Sequence, residues 1–328
     1  MPMDLAMTIR RAIHVILFMT LCSHGVSVPA EQRYDPQRPP GKFVNLGLHR
    51  MYIDCRGIKS PTVLIDVGLG EASASWLPII ESLENETRVC LYDRAGYGFS
   101  DSGPGARTTA QITYELHALL ELAQVPPPYV VVGHSFGGFT AQYFASLYPE
   151  ETVGAVLVES SHPDQVTRLA ALDKTGQRHK LVVSRRGPPP ETMSEMEKKW
   201  FYLNSSRKAT YAQMDELRYF SESAEQVSQA PPFPDIPLTV LTRGLSQLPE
   251  VNGKSMEAEW IDMQSDLATL SSQSWHIFVP DTGHNLHMDA PAVIVENIVN
   301  VVLRARQKML ETGKFSYHNA HKQNNSHQ

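Results

Sequence analysis

The most informative stretch of the chain is residues 129–148, which read YVVVGHSFGGFTAQYFASLY. Its beginning, Tyr129–Val132, is a short apolar run typical of a strand that is buried on both faces of a parallel sheet. Its end, Phe136–Tyr148, is an amphipathic segment that predicts a helix. Between them, GHSFG at residues 133–137 matches the G-x-S-x-G pattern of a sharp turn from strand to helix that projects a nucleophilic serine. The stretch therefore predicts Ser135 as a nucleophile.

A serine hydroxyl is a weak nucleophile at its own pKa and needs a base beside it. His284 follows Gly283 on a predicted loop between a strand and the last helix. Such loops lie at the sheet end where ligand sites of α/β folds gather, so His284 is the predicted base. Four other histidines are less suitable, because they lie on the turn itself, inside a strand, at the start of an insertion, or just beyond His284. They are His134, His276, His162 and His287.

Short apolar runs bounded by Gly, Pro or Asp alternate with amphipathic segments along most of the chain. This alternation predicts a doubly wound α/β sheet with right-handed crossovers. The predicted strands are Val44–Leu48, Met51–Cys55, Thr62–Val67, Val89–Tyr92, Tyr129–Val132, Val153–Val158, Leu238–Thr242 and Trp275–Val279. The predicted helices are Thr109–Ala123, Phe136–Tyr148, Met256–Leu270 and Ala290–Lys308.

The alternation stops over residues 163–236, after the sixth predicted strand. A structureless connection of this length is uncommon in a compact domain, so we expect a helical cap there, with helices at Met193–Tyr202 and Ala209–Phe220. Its aromatic side chains would supply apolar walls for a substrate. These aromatic residues are Trp200, Phe201, Tyr202, Tyr211, Tyr219 and Phe220.

The cap divides a predicted α/β core into two parts, residues 41–162 and 237–310. A Pro-rich linker, residues 31–40, precedes the core. The polar residues 311–328 follow it and are expected to form a flexible tail, which carries His318, His321 and His327.

The first thirty residues have the layout of a secretory signal peptide. Arg10 and Arg11 precede the apolar run Ala12–Cys22, and small residues follow as far as Ala30. The run is shorter than the ~20 residues that a bilayer-spanning helix needs. We therefore expect an exported protein, periplasmic or secreted, and the alternative is a membrane tether formed by an uncleaved leader.

The composition is that of an ordinary globular protein, with 42% hydrophobic and 20% charged residues. The net charge is −6 without a long basic run, which argues against nucleic acid as a partner. The glycines at 68–70 and 96–98 lack the full G-x-G-x-x-G pattern of a dinucleotide site. We expect a small-molecule substrate with an apolar part, no cofactor and no metal, and the sequence carries no signal for an oligomeric state.

From Lys42 to Arg306, apart from the cap, the chain resembles the α/β-hydrolase superfamily. The matching motifs are VGLG at residues 67–70, YDRAGYGFS at 92–100, the turn around Ser135, and Gly283-His284. The resemblance implies a mostly parallel eight-stranded sheet flanked by helices, with nucleophile, acid and histidine in that chain order. Epoxide hydrolases and haloalkane dehalogenases of this fold carry aspartate where this chain has Ser135, so acyl transfer to water is the implied chemistry.

The resemblance also implies an acid after the sixth or the seventh strand. The loop after the seventh strand begins RGLSQ at residues 243–247 and lacks a carboxylate at the usual place. Glu159 ends the sixth strand, and we expect it to hold the His284 tautomer and to stabilise the imidazolium that forms during the reaction. The alternatives are Glu250, Asp262 and Asp266.

By the same resemblance, the backbone N–H groups of Leu69 and Phe136 form the oxyanion hole. Glycines beside Leu69 allow close backbone approach, and Phe136 lies at a helix N-terminus, which favours negative charge. Asp93 and Arg94 are interpreted as an ion pair that fixes a loop rather than as catalytic groups.

Two cysteines, Cys55 and Cys90, remain after the expected leader. In the strand order that the resemblance implies, they lie on neighbouring antiparallel strands, about 4.8 Å apart. A disulfide is therefore possible if the register is right, and export would let it form. The alternative is a pair of buried free thiols on different registers or faces.

Together these features predict an exported serine hydrolase that cleaves a carboxylic ester through an acyl-enzyme intermediate. Amide or peptide hydrolysis and perhydrolase chemistry on the same residues are the enzymatic alternatives. A binding protein on a hydrolase scaffold is the alternative from another class, because a fold alone does not establish activity.

Overall fold

The computed structural model describes residues 39–172, 191, 195–251 and 253–313, and all elements among them lie in the unit that begins at Gly41. Several predictions fall outside these residues. They are the signal peptide 1–30, most of the linker 31–40, residues 173–190 and 192–194 of the cap, and residues 314–328 of the tail.

The described residues form an α/β fold with the predicted alternation of strands and helices. The strands are β1 (Lys42–Asn45), β2 (Arg50–Arg56), β3 (Thr62–Asp66), β4 (Arg88–Asp93), β5 (Tyr129–His134), β6 (Thr152–Val158), β7 (Leu238–Arg243), β8 (Glu250–Val251), β9 (Lys254–Ser255) and β10 (Ser274–Val279). The helices are α1 (Leu77–Leu83), α2 (Thr109–Leu122), α3 (Gly137–Leu147), α4 (Gln165–Leu172), α5 (Glu195–Asn204), α6 (Arg207–Arg218), α7 (Phe220–Ser228), α8 (Met256–Ala268), α9 (Leu286–Asp289) and α10 (Pro291–Glu311).

Eight strands form one sheet in the order β1-β2-β4-β3-β5-β6-β7-β10. Strand β2 is antiparallel to both of its neighbours, and the other pairings are parallel. The predicted α/β-hydrolase fold, with a mostly parallel eight-stranded sheet flanked by helices, is confirmed. Strands β8 and β9 form a separate small hairpin.

The main core lies where α2, α3 and α8 cover one face of the sheet. Val131 in the middle of β5 belongs to this core, together with Leu119 and Phe144 from α2 and α3. Its neighbours Val130 and Val132 are equally buried on the opposite face, because successive strand residues alternate. Burial on both faces explains why β5 appears in the sequence as a continuous apolar run.

The edge strand β10 differs from the prediction that each strand is buried on both faces. Trp275 and Phe278 are about half exposed, because β10 has a neighbour on one side only, β7. The Arg304 guanidinium lies 3.5 Å from the centre of the Trp275 ring and covers part of it.

The described part of the cap is helical, as expected, but its helices differ from those predicted. The predicted helix Met193–Tyr202 corresponds to α5, which continues to Asn204, and Met193 and Ser194 lie outside the described residues. The predicted helix Ala209–Phe220 is divided at Tyr219 into α6 and α7, and α4 was not predicted. Helix α7 packs against α2 and α3, beside the turn that carries Ser135.

Cys55 and Cys90 face each other across the antiparallel pair β2 and β4. Their Cα atoms are 4.0 Å apart, and the two side chains are joined by a disulfide.

Candidate active site

Ser135 lies on a tight turn between β5 and α3, with a φ of 51° that non-glycine residues rarely adopt. Backbone hydrogen bonds hold the turn, since the Ser135 amide donates to the Val158 carbonyl at 3.1 Å. A Cβ at Gly133 would lie 2.5 Å from the Gly137 carbonyl oxygen, and one at Gly137 would lie 2.4 Å from that of Asp66. Neither position has room for a side chain, so both glycines of the motif are required, as the sequence predicts.

Three predicted residues come together at this turn. The Ser135 Oγ is 2.9 Å from His284 Nε2, and His284 Nδ1 is 3.1 Å from a carboxylate oxygen of Glu159. The His284 amide donates to the Gln247 side chain at 3.0 Å, which fixes the loop that carries the histidine. The His284 side chain is 39% exposed and Ser135 is partly exposed, so a substrate can approach this end of the hydrogen-bonded chain.

Glu159 is fully buried at the end of β6, where four N–H donors surround its carboxylate. The amide of Arg243 donates at 2.9 Å and the indole of Trp260 at 3.2 Å, and the Arg243 guanidinium and His284 complete the set. Burial raises the pKa of Glu159, but the hydrogen bond from His284 and the charge of Arg243 outweigh it, so its pKa lies below the usual value. Glu159 is therefore held as a carboxylate.

Among the described residues, the alternatives to Glu159 make no hydrogen bond to His284. Asp266 forms an ion pair with Arg168 instead. Glu250 lies in the hairpin strand β8, and Asp262 lies in helix α8.

Sequence reasoning missed the role of Arg243, the last residue of β7, which precedes the loop where a carboxylate was sought. Its guanidinium binds both Glu159 and Glu257, and it lies 5.2 Å from the centre of the Trp260 ring. Glu257 in turn accepts from the amides of Gln247 and Leu248, each at 3.0 Å. Through Glu257, Arg243 thus links Glu159 to the loop whose Gln247 side chain accepts from the His284 amide.

The two predicted oxyanion donors lie on segments that meet at the turn. Phe136 directly follows Ser135 and precedes the first residue of α3. The loop after β3 carries Leu69, and its first residue, Val67, lies against the turn, since a Cβ at Gly137 would lie 2.6 Å from the Val67 carbonyl oxygen. In the described part of the chain, neither amide donates to another protein group.

The expected ion pair between Asp93 and Arg94 is wrong. Asp93 accepts from the amides of Ser73 and Phe99, at 2.9 and 2.8 Å, whereas Arg94 binds Asp66 and Glu216. Adjacent residues at a strand end point to opposite sides, so the two side chains have different surroundings.

Arg94 instead connects the cap to the loop after β3, which carries the predicted oxyanion donor Leu69 and is named the oxyanion loop for that prediction. Its guanidinium donates to the carbonyls of Val67 and Gly68, at 2.6 and 2.9 Å. Its Nε donates at 2.9 Å to Glu216 on the cap helix α6. Tyr97 also donates to Glu216, at 2.7 Å.

A second group of ionisable side chains lies behind His284. His134 Nδ1 is 3.3 Å from Glu71, and His134 Nε2 is 3.0 Å from the His284 carbonyl oxygen. His287 stacks on Trp76, with ring centres 4.7 Å apart and planes at 9°. Burial lowers the pKa of His287 to about 4. For Glu71, burial raises the pKa, but the positive charge of His134 outweighs it and brings the pKa to about 2.

The aromatic residues predicted for the cap separate into two sets. Phe220 packs on Phe136 and Phe139, with ring centres 5.9 and 5.2 Å apart. Tyr202 and Tyr211 are mostly exposed. The side chain of Trp200 lies outside the described residues.

The chain belongs to the alpha/beta hydrolase family, whose model matches residues 63–297. The uncharacterized protein YqjL of Bacillus subtilis (strain 168) is 25% identical over 256 residues, which is 77% of this chain and 88% of that protein. RutD of Azorhizobium caulinodans, named as a proposed carbamate hydrolase, is 31% identical over 108 residues, or 33% of this chain and 40% of RutD.

Solved structures agree with the fold. A proposed lipase of Acinetobacter baumannii AYE has a TM-score of 0.60 at 20% identity, covering 82% of this chain and 92% of its own. A thermophilic esterase of Thermogutta terrifontis has a TM-score of 0.57 at 20% identity, covering 81% and 98%. Family membership supports a hydrolase.

No helix within the described ranges has the length and apolar composition needed to cross a membrane.

Proposed function

We propose that the protein is an exported serine hydrolase that cleaves a carboxylic ester through an acyl-enzyme intermediate. The observation that carries the proposal is the continuous hydrogen-bonded chain from Ser135 through His284 to Glu159, with distances of 2.9 and 3.1 Å. Nucleophile, base and orienting acid in this order are the arrangement that activates a serine hydroxyl.

In the first half of the reaction, Ser135 Oγ attacks the ester carbonyl carbon while its proton moves to His284 Nε2. Glu159 stabilises the imidazolium through Nδ1 and remains a carboxylate. The negative charge on the former carbonyl oxygen is met by the amides of Leu69 and Phe136. His284 then returns the proton to the departing alkoxide, which leaves as an alcohol, and the acyl group stays on Ser135.

The second half repeats these steps with water as the nucleophile. His284 removes a proton from water, the resulting hydroxide attacks the acyl carbon, and the bond to Ser135 Oγ breaks. Ser135 recovers its proton from His284, and the carboxylic acid is released.

An apolar part of the substrate has a matching surface beside the oxyanion donors. Leu69, Phe220 and Val227 are partly buried and pack on the apolar cluster that contains Phe136 and Phe139. We place the acyl or alcohol chain of the substrate against these three side chains, where it would lose contact with water.

The decisive experiment combines covalent labelling with ester hydrolysis. A fluorophosphonate should label Ser135, and Ser135→Ala should abolish labelling and lower kcat for aryl esters by at least ~10³-fold. Ser246→Ala is the matched control, since Ser246 is an exposed serine on the loop next to Gln247 and should keep both properties. Retention of most activity by Ser135→Ala would overturn the mechanism, and absence of both labelling and turnover in the wild type would favour a binding protein.

The local similarity to RutD favours a second candidate, cleavage of a carbamate or amide by the same residues. Parallel assays with esters, carbamates and amides of the same acyl group would rank the two. A higher kcat/KM for the carbamate or amide would replace the ester proposal and leave the serine mechanism intact.

Export is proposed from the sequence pattern of the leader. The N-terminal residue of protein recovered from the periplasm or medium of an expressing bacterium should lie after Gly25 or Ala30. Recovery of the chain with Met1 in the membrane fraction would favour the uncleaved tether instead.

A further inference from the structure

Three side chains behind His284 converge from separate segments of the chain. Glu71 lies on the loop after β3, His134 ends β5, and His287 lies in α9. One carboxylate oxygen and two imidazole nitrogens, one from each residue, all lie within 4.8 Å of one another. The proposed serine chemistry uses none of these three side chains as nucleophile, base or acid.

The hydrogen bonding of this cluster is incomplete. The His287 side chain is fully buried, and neither of its ring nitrogens has a partner among the described residues. Its Nε2 is 4.0 Å from Glu71 Oε1, which is beyond hydrogen-bond distance. A buried polar group without a partner costs about 1–3 kcal/mol, so a bound group that satisfies it would be stabilising.

The spacing of the cluster matches a tetrahedral metal site. Zinc binds imidazole nitrogen and carboxylate oxygen at about 2.0–2.2 Å, which places neighbouring ligand atoms roughly 3.3–3.5 Å apart. The separation between His134 Nδ1 and Glu71 Oε2 is 3.3 Å, and that between His287 Nε2 and Glu71 Oε1 is 4.0 Å. These two contacts use different oxygens of the Glu71 carboxylate, and the three ligand atoms lie within 4.8 Å of one another, so His287 would move towards the other two ligands to complete the geometry.

The surroundings also suit a metal ion. If His134 binds through Nδ1, its Nε2 proton is donated to the His284 carbonyl at 3.0 Å, the outer contact that metal-binding histidines usually make. A Cβ at Gly68 would lie 3.0 Å from His134 Nδ1 and 3.2 Å from the Glu71 carboxyl carbon, so glycine keeps this space open. The Glu71 side chain is 20% exposed and provides a path from solvent.

We propose that Glu71, His134 and His287 form a binding site for a divalent transition-metal ion, for which zinc is the best match. Two imidazoles and one carboxylate are a usual zinc ligand set, with a fourth position left for water. The sequence predicts no metal, because the three ligands are distant in the chain and form no spacing motif. The proposal is independent of the serine mechanism.

The test measures zinc binding by the full-length chain, without an affinity tag, after metal removal. Calorimetry and elemental analysis should give one tightly bound Zn²⁺ per chain. Glu71→Gln and His287→Asn should each weaken binding by at least about tenfold, since even outer contacts of a ligand change affinity by about 10- to 100-fold.

His117 and Glu151 provide matched controls. His117 stacks on Tyr148 with planes at 9°, and its Nε2 is 3.2 Å from Glu151. This pair thus has one imidazole and one carboxylate, whereas the proposed site has a second imidazole. His117→Asn and Glu151→Gln should keep the wild-type zinc affinity. The same holds for a variant in which the three tail histidines, His318, His321 and His327, are replaced by asparagine.

The proposal is overturned if the wild type binds no zinc, if the Glu71 and His287 variants bind it as well as the wild type, or if the tail variant loses it. Should His287→Asn fail to fold, X-ray absorption of the zinc-loaded wild type decides the matter. Two imidazoles in the zinc coordination shell support the site, and one or none excludes it.

Discussion

Two buried glutamate–arginine pairs flank the proposed catalytic residues, and the pKa values of their carboxyl groups are shifted in opposite directions. Glu159 binds Arg243 on the side of the acid, and Glu216 binds Arg94 on the side of the oxyanion loop. Both glutamates are 0% exposed. The pKa of Glu159 nevertheless lies below its usual value, and the pKa of Glu216 lies above it.

The difference arises from the neighbours of each pair. Burial raises the pKa of both carboxyls, but at Glu159 the hydrogen bond from His284 and the charge of Arg243 outweigh it. At Glu216, burial outweighs the charge and hydrogen bond of Arg94 and the hydrogen bond from Tyr97, and Asp66, which binds the same arginine, adds a like charge that raises the pKa further. The same residue pair thus maintains an anion at the acid position and, on the other side, ties the cap to the oxyanion loop.

The largest difference between the pairs should appear in catalysis. Glu159→Gln removes the charge that stabilises the His284 imidazolium, and we expect kcat to fall about 10³- to 10⁴-fold with KM near normal. Glu216→Gln should lower kcat far less. Steady-state kinetics on one ester would check this, with Glu250→Gln, Asp262→Asn and Asp266→Asn as mild controls. A larger loss in any of those three than in Glu159→Gln would move the acid away from β6.

The cap-side pair should dominate stability. Arg94→Met leaves Glu216 and Asp66 buried without their cation, and we expect the free energy of unfolding to fall by about 3–5 kcal/mol. Arg50→Met is the control, because Arg50 and Asp101 form an ion pair that is exposed to solvent, and such pairs contribute little to stability. Urea unfolding of both variants would measure the difference. Equal decreases in the free energy of unfolding would show that the buried contacts of Arg94 with Glu216 and Asp66 do not stabilise the cap.

The disulfide between β2 and β4 provides a comparison for the stability that the ion pairs contribute. The disulfide joins residues separated by 35 positions, and replacing Cys55 and Cys90 by serine should lower the free energy of unfolding by about 3–4 kcal/mol. Non-reducing peptide mapping of protein recovered from the periplasm or medium of an expressing bacterium should recover the two cysteines in one linked species. Recovery of free, alkylatable thiols would favour the alternative of unbridged cysteines.

The contrast also shows what the sequence could predict. Ser135 and His284 lie in local motifs, so each could be predicted from its immediate context, whereas Glu159 was predicted from the family resemblance together with its place at the end of a strand. Arg243 and Trp260 reach Glu159 from 84 and 101 residues away, and no spacing pattern links them to it.

The errors at the secondary-structure level have similar physical causes. Helix α1 has only seven residues, too few for an apolar period to be visible. The two helices at the end of the cap appear as one predicted segment, since the break at Tyr219 occurs without glycine or proline. The pairing of Arg94 with Glu216 could not be predicted, because the two residues are 122 positions apart and no spacing pattern links them.

The cap side should also set the preference for apolar substrates. Phe220→Ala removes a ring that packs on Phe136, and we expect kcat/KM for esters with long acyl chains to fall roughly 5- to 30-fold, equivalent to about 1–2 kcal/mol of lost burial. Acetyl esters should be affected less. Tyr211→Ala is the matched control, because Tyr211 is a cap aromatic that is 63% exposed. A similar loss in both variants would indicate a general effect on the cap.

The smallest expected effect is a difference in acid stability between the two pairs. Glu159 has a folded-state pKa below its usual value of 4.5, so its stabilising contribution is complete above that pH and is lost as the pH falls further. Glu159→Gln should therefore lose stability less steeply than the wild type below about pH 4.5. Glu216 has a raised folded-state pKa, so the folded protein takes up a proton above pH 4.5, which adds stability as the pH falls towards that value. Glu216→Gln lacks this gain, and its stability relative to the wild type should decline between neutral pH and 4.5. Urea unfolding at a series of pH values would measure both slopes, and a change of the same sign in the two variants would contradict the opposite titration of the pairs.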